Sequence, residues 1–387
     1  MAVSNSAMRA LGLATAILIA GCTPAPKSTP LDPGAFEVDA RGAPAVVDQT
    51  LTLDGLGQPI GAVLSMARCD DMLVFSDSMG QVRRMELSSG RTVPSIARDA
   101  SNEAMAADCQ ARLLYLLGDP PKKARRSQWQ LQAFNIDSGA VGSALPIDLM
   151  MLPHRNATVR GGAFVVGGTW RPVLPDGQLD EQPSPAGYFR DKRLGFKVSL
   201  KSGESEPLLL PFDESCRANC AFTSLAPLSG PGDLVWVATQ ASSKQIALYD
   251  STGVVQRRFD VTSPMFAENG EVLRKLNSEA DIRWSSRNSL VRSADQFGEL
   301  IATVHFRSRL PEGWVYGQSV EFDYWINIHS INGRPLVSDI KLPGMPIGRD
   351  DTHFYVTDYG LDGRHSAPSR LKVLRIPVKV GTEGFRH

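Results

Sequence analysis

One arrangement of apolar and polar positions recurs along most of the chain. A run rich in β-branched and aromatic residues meets a polar connection, then an alternating run, then a tight turn ending in glycine. The first copy reads Met72–Ser76, Val82–Leu87 and Ser88-Ser89-Gly90. The second reads Leu113–Leu117, Trp129–Ile136 and Asp137-Ser138-Gly139. The third has Ala163–Val166, Gly195–Leu200 and Lys201-Ser202-Gly203; the fourth has Leu234–Ala238, Gln245–Tyr249 and Ser251-Thr252-Gly253. A fifth runs Leu300–Val304, Tyr324–Ser330 and Asn332-Gly333. Alternation of period two with such residues is the strand pattern, and glycine supplies the positive φ of a hairpin turn. Each copy therefore predicts a second and a third strand, with an outer strand after the glycine.

The turn glycines are separated by 49, 64, 50 and 80 residues, so units of about 40–50 residues carry insertions in the third and fifth. Such a unit leaves faces it cannot bury alone, and stacking around an axis buries them. A sixth copy, His353–Thr357 and Arg370–Ile376, lacks both a glycine turn and an outer strand. The run Ala45–Leu53 has strand character and no partner of its own, so it is predicted to complete the last unit. Over residues 36–380 this pattern resembles the six-bladed β-propellers of the broad NHL and TolB-like type. The resemblance implies an all-β fold closed by an N-terminal strand. It is architectural and carries no residue signature. Residues 254–300 leave a degenerate extra blade as the alternative, giving seven or eight.

Composition agrees with many short strands: 34 Gly and 26 Pro make the chain turn-rich, and 42% hydrophobic residues suffice for a core. Lys and Arg total 41, balanced by 41 Asp and Glu. A chain of zero net charge lacks the basic excess of a nucleic-acid binder held by bulk charge.

The N-terminus has a different character. Arg9 precedes the apolar run Ala10–Ala20, which is too short to span a bilayer and has the proportions of a signal-peptide core. The run ends in Ile19-Ala20-Gly21-Cys22, which resembles the lipobox of bacterial lipoproteins. The resemblance implies residues 1–21 as signal peptide, cleavage before Cys22, and lipid on the Cys22 thiol. Thr23 stands where inner-membrane lipoproteins of this kind usually carry Asp, which implies the outer membrane, facing the periplasm, in a two-membrane host. Residues 22–35 hold Pro24, Pro26, Pro30 and Pro33 and read as an extended tether, leaving 36–387 as one propeller domain.

Disulfides are permitted in an exported compartment. Cys216 and Cys220 frame a short loop and read as a local bridge. Cys69 and Cys109 occupy matching places before the second strands of neighbouring units, so they form either a blade-to-blade bridge or two buried thiols. His305, His329 and His353 are evenly spaced by 24 residues but have no carboxylate at ligand spacing, so no metal or cofactor is assigned. No Gly-x-Ser-x-Gly elbow occurs.

Two long connections carry the strongest binding chemistry. The segment from Trp170 to Arg193 holds Tyr188 and Phe189, and that from Arg307 to Asp323 holds Arg309, Trp314 and Tyr316. Arginine and aromatic residues on loops over a rigid scaffold are the material of interface hot spots. The basic run Lys122–Arg126 fits an anionic head group or a solvated loop. With no catalytic constellation, the leading expectation is a membrane-anchored scaffold for an envelope protein partner. The alternatives are a propeller enzyme of lactonase type with Ca²⁺ in the channel, built on acids such as Asp70, Asp108 and Asp350, or a small-ligand capture protein.

Overall fold

The computed structural model describes residues 38–39, 42–97, 102–118, 128–149, 152–169, 193–211, 223–228, 234–240, 243–268, 278–318, 320–357 and 368–378. The chain divides between Phe36 and Glu37, and everything described belongs to the second unit. Cys22 and the tether lie outside the described residues.

Two strands, β1 (Val38–Asp39) and β2 (Gln49–Asp54), precede the regular sets. Blade 1 holds β3 (Val63–Cys69), β4 (Met72–Asp77), β5 (Gln81–Glu86) and β6 (Thr92–Ala97). Blade 2 holds β7 (Asn102–Asp108), β8 (Leu113–Gly118), β9 (Gln128–Asn135) and β10 (Val141–Asp148). Blade 3 follows as β11 (Leu152–Arg160), β12 (Ala163–Thr169), β13 (Gly195–Ser199) and β14 (Ser205–Pro207). Blade 4 is β15 (Thr223–Pro227), β16 (Leu234–Gln240), β17 (Gln245–Asp250) and β18 (Val255–Asp260). A helix, α1 (Ser278–Ser285), leads into blade 5: β19 (Leu290–Phe297), β20 (Leu300–Arg309), β21 (Glu321–Ser330) and β22 (Pro335–Leu342). The last set is β23 (Met345–Arg349), β24 (His353–Thr357) and β25 (Arg370–Pro377).

Within each blade the strands pair antiparallel in sequence order, and β2 supplies the fourth strand of blade 6. All six inner strands, β3, β7, β11, β15, β19 and β23, line one axial cavity, so the body is a six-bladed propeller. Residues 254–300 form β18, the connection with α1 and β19; no further blade occurs there among the described residues.

Closure differs from the expectation in its bounds. The strand on β25 is 49–54, in register from Gln49 opposite Arg375 to Asp54 opposite Arg370, rather than 45–53. Residues before it serve blade 5: β1 runs parallel to β22, and Lys341 N donates to Ala43 O at 2.8 Å while Ala45 N donates to Lys341 O at 2.8 Å. The N-terminal chain thus covers the outer edges of two blades. Its alternation is plain in β2, where Leu51 and Leu53 are buried and Thr50 and Thr52 are exposed.

Neighbouring blades interlock through the turn between third and fourth strands. A Cβ added at Gly253 (φ +82°) would lie 2.3 Å from Leu209 O on blade 3, and one at Gly333 (φ +85°) 2.8 Å from Phe259 on blade 4. Both sites need a positive φ and backbone-close packing, which only glycine provides. Arginines then hold the same turns across the interface. Arg84 Nη1 donates to Ile136 O at 3.1 Å, and Arg257 Nη1 to Ile331 O at 3.2 Å. Between blades 1 and 2, Cys69 and Cys109 form a disulfide with Cα atoms 5.1 Å apart.

Deleting residues 36–54 exposes the β25 edge and the faces of Leu371 and Val373, so a marked fall in Tm and solubility is expected on thermal melting. Deletion within 24–33 leaves both unchanged. The point version is Leu53→Ala, expected to cost about 2–5 kcal/mol, against near-neutrality for Thr50→Ala. Reducing the Cys69–Cys109 bridge, which closes a loop of 40 residues, is expected to cost roughly 2–4 kcal/mol in denaturant unfolding.

Candidate functional site

Strand direction gives the propeller two distinct faces. Turns between first and second strands lie on one, here the turn face; connections between second and third strands, and between blades, lie on the other, the loop face.

The axial cavity encloses about 710 Å³ and reaches the turn face, where Asp70, Cys109, Asp350 and Thr352 rim it. Its walls carry small side chains, Ala67, Ala106, Ala157 and Ala226 among them, because six strands converge on the axis. Charges near the rim are cancelled in pairs. Arg68 Nη1 stands 2.5 Å from Asp350 Oδ2, and Tyr355 donates its hydroxyl to the same oxygen at 2.8 Å. Burial alone would raise the Asp350 pKa. Hydrogen bonds from Thr352 N, Tyr355 and Arg68 outweigh it and hold the carboxyl well below its usual range. Tyr355 is pushed up in turn by burial and by the carboxylate. Arg349 Nε meets Asp295 Oδ1 at 2.9 Å, with its guanidinium 5.4 Å from the Phe297 ring centroid.

The three acids singled out in the sequence do not come together as a metal cage. Asp350 is committed to Arg68, Asp70 pairs with Arg112 at 3.0 Å, and Asp108 Oδ1 accepts Ala111 N at 3.0 Å in its own turn. Among the described residues no group of three or more His, Cys, Asp or Glu side chains is placed to hold a metal ion.

Deeper in the cavity stands Arg292, which the sequence reading passed over. The β19–β20 register shifts between Val291, opposite His305, and Ser293, opposite Val304, so Arg292 is the extra residue of a bulge. Bulges re-aim a side chain locally. The same shift occurs in the inner strands of blades 1, 2 and 6, leaving Leu64, Glu103 and Ile347 at the equivalent place.

Blade 5 also buries a polar cluster around His305, His329, Asn327 and Asp339. Asn327 Oδ1 accepts Asp339 N at 2.9 Å, and a backbone N–H can only donate, which fixes the amide orientation. Asn327 Nδ2 therefore donates to His305 Nδ1 at 2.9 Å, placing the imidazole proton on Nε2. Ser263 Oγ lies 3.5 Å from that nitrogen and donates to Asp339 Oδ1, and Asp339 Oδ2 accepts Met265 N at 3.1 Å. A serine nucleophile would need a free imidazole nitrogen to accept its proton. Here Nε2 carries a proton and Ser263 gives its own to the carboxylate, so the cluster pins residues 261–268 against blade 5. Trp325 stacks on His305 with centroids 5.1 Å apart. Burial, then nearby Arg307, lowers the His305 pKa to about 3; burial lowers His329 to about 4. His353 is elsewhere, in blade 6, where its Nε2 meets Asp48 Oδ2 at 2.8 Å across the closure.

On the loop face, the expected Arg307–Asp323 loop is shorter than foreseen. β20 and β21 pair out to Arg309 opposite Glu321, leaving only residues 310–320 between them. Arg309 forms an ion pair with Glu321 and sits 4.0 Å from Asp323. Trp314 turns inward: it is buried, its Nε1 donates to Gln318 O at 3.3 Å, and the Arg283 guanidinium of α1 lies 5.0 Å from its ring centroid. Anchored this way, the loop presents Val315 and Tyr316 at 61% and 54% exposure. Leu56 and Met79, also exposed, lie on connections of the same face. Trp170, Tyr188, Phe189, Cys216, Cys220 and the run Lys122–Arg126 lie outside the described residues.

The two buried histidines predict a pH dependence. Their folded pKa values lie below the ordinary 6.5, so the unfolded chain takes up protons first on acidification. Stability is fully present above pH 6.5 and is lost as pH falls towards 4. Unfolding free energies from denaturant titrations at pH 7 and pH 4.5 should differ by a few kcal/mol, and His329→Phe should flatten that slope.

No family model matches the chain, and no curated protein does. Among solved structures, a member of the DUF4221 family from Bacteroides vulgatus superposes with a TM-score of 0.62 at 10% identity, covering 87% of this chain and 98% of that one. BamB from Moraxella catarrhalis gives a TM-score of 0.41 at 13% identity, covering 86% of this chain and all of that one. At such identities the likeness is one of fold, and the first of them shows the chain to share the propeller architecture.

Proposed function

We propose that this protein is an exported lipoprotein, tethered through Cys22, whose propeller is a docking platform for a protein partner in the cell envelope. The observation that carries the platform reading is the loop face. Val315 and Tyr316 are held out to solvent on a short loop whose own tryptophan is spent on anchoring it. Exposed apolar side chains on a pre-organised loop bind without a large ordering cost, which is how rigid anchors become hot spots. Leu56 and Met79 extend the apolar character across the same face, towards blades 6 and 1.

The anchor reading rests on the sequence. Positive charge, short apolar core, small residues and Cys22 follow one another in the order a lipoprotein signal requires. A diacylated or triacylated cysteine supplies more than the marginal hold of a single chain. Thr23 favours the outer membrane of a two-membrane host, with the propeller in the periplasm. The lactonase alternative would need converging free carboxylates, whereas Asp295 Oδ1 is paired with Arg349 and Asp350 accepts Arg68 and Tyr355 at Oδ2 and Thr352 N and His353 N at Oδ1.

A photo-crosslinker at position 316 in whole cells should capture a discrete protein partner, and Val315→Glu should abolish the capture. Cells in which position 316 captures nothing, while the protein is present at normal levels, would refute the platform. Labelled palmitate should enter the wild-type chain and not Cys22→Ser; label in neither would remove the anchor.

A further inference from the structure

Every other arginine near the cavity is matched by a carboxylate. Arg68 meets Asp350, Arg349 meets Asp295, and Arg112 meets Asp70 and Asp137. Arg292 lines the same cavity and has no hydrogen-bond or ion-pair partner among the described residues. It sits two residues into β19, towards the end of the cavity away from the rim, and the bulge that makes it the extra residue also sets its direction. It is only partly exposed, and burial pulls its pKa below the usual range. An enclosed cation with no counter-charge is costly, and such costs persist where a ligand supplies what the fold withholds.

The surroundings define that ligand. Met66, Met105, Leu225 and Ala226 line the same cavity and give it apolar wall, and Ser293 lines it next to Arg292 in sequence. The volume of about 710 Å³ falls within the range of small-molecule pockets. A single guanidinium offers a planar fork that matches one carboxylate. At the entrance Arg68 and Arg349 are already matched by Asp350 and Asp295, so among the described residues the cavity has no second unmatched cation for a polyanion. We infer that the axial cavity binds a small organic monocarboxylate from the turn face, its carboxylate on Arg292 and its uncharged body against Met105 and Leu225. This site lies along the axis, apart from Val315 and Tyr316, so it stands or falls independently of the docking platform.

The test is calorimetric titration and thermal melting of the full-length protein in detergent, with acetate, butyrate, hexanoate, benzoate and inorganic phosphate as probes. Binding should be saturable, should strengthen from acetate to hexanoate or benzoate, and should be stronger for these than for phosphate. Arg292→Gln should weaken it at least tenfold, Arg292→Lys should weaken it less, and Arg91→Gln, an exposed control, should leave it unchanged. The unliganded Arg292→Gln protein should melt no lower than wild type, because an unmatched buried charge has been removed. Binding by none of the carboxylates, equal binding by Arg292→Gln, or tighter binding of phosphate would overturn the assignment. So would a large fall in Tm for unliganded Arg292→Gln, since Arg292 would then be structural.

Discussion

The ring depends on satisfying the outer edge of its last blade. A blade of three strands would leave the β25 backbone donors and acceptors unpaired, and an open sheet edge invites association with another chain. The N-terminal segment first runs along β22 of blade 5 and then fills this edge along β25. Side chains lock the same junction: His353 meets Asp48, and Arg370 Nε meets Asp54 Oδ2 at 3.1 Å. On the loop face the buried pair of Arg83 and Asp77 holds the return into blade 1, because Arg83 Nη2 also donates to Pro59 O at 2.7 Å. A buried ion pair adds little net stability, since desolvation offsets its Coulomb energy. Here its effect is to fix one position for the chain that crosses from the last blade to the first.

Closure dictates what the axis looks like. Six inner strands converge on the axis, and small residues such as Ala67, Ala106, Ala157 and Ala226 stand on them among the larger side chains that line the cavity. The same arrangement explains which parts of the fold were legible in the sequence. Second and third strands pack sheet against sheet and carry the β-branched, aromatic alternation that marks a strand. Inner strands such as Asn102–Asp108, Thr223–Pro227 and Met345–Arg349 read NEAMAAD, TSLAP and MPIGR, with weak β propensity and no clean alternation. They were implied by the blade count and invisible by pattern.

Site chemistry was harder to read for a related reason. The Cys69–Cys109 bridge could be anticipated, because equivalent positions in successive copies become neighbours once the blades stack. Trp314 and Tyr316 were both visible as loop aromatics, yet composition does not say which one turns inward. That depended on Arg283, thirty-odd residues upstream on a helix the pattern did not reveal. Arg292 gave no signal at all, since one arginine in a strand is unremarkable until a bulge and a cavity give it a direction. Comparing the copies does not single it out either, since its equivalents in blades 1, 2 and 6 are Leu64, Glu103 and Ile347, a charged residue among them.

Departures from the repeat are concentrated in blade 5. Among the described residues it alone has a fifth strand, ten-residue second and third strands, a helix in the connection that precedes it, and a buried histidine cluster. It also carries both the exposed pair Val315 and Tyr316 on the loop face and the unmatched Arg292 towards the axis. These features support one another physically. The cluster of Ser263, His305, Asn327 and Asp339 fixes the preceding connection to the blade, α1 then positions Arg283 over Trp314, and Trp314 fixes the loop. Asp339 adopts a positive φ of 61°, as Leu56, Asp70 and Arg112 do outside this blade, and its N–H is held by Asn327 Oδ1. A sequence that merely needed six equivalent blades would have no use for such a polar interior. Local rules are broken where something other than the fold is being specified, and in this propeller that place is blade 5.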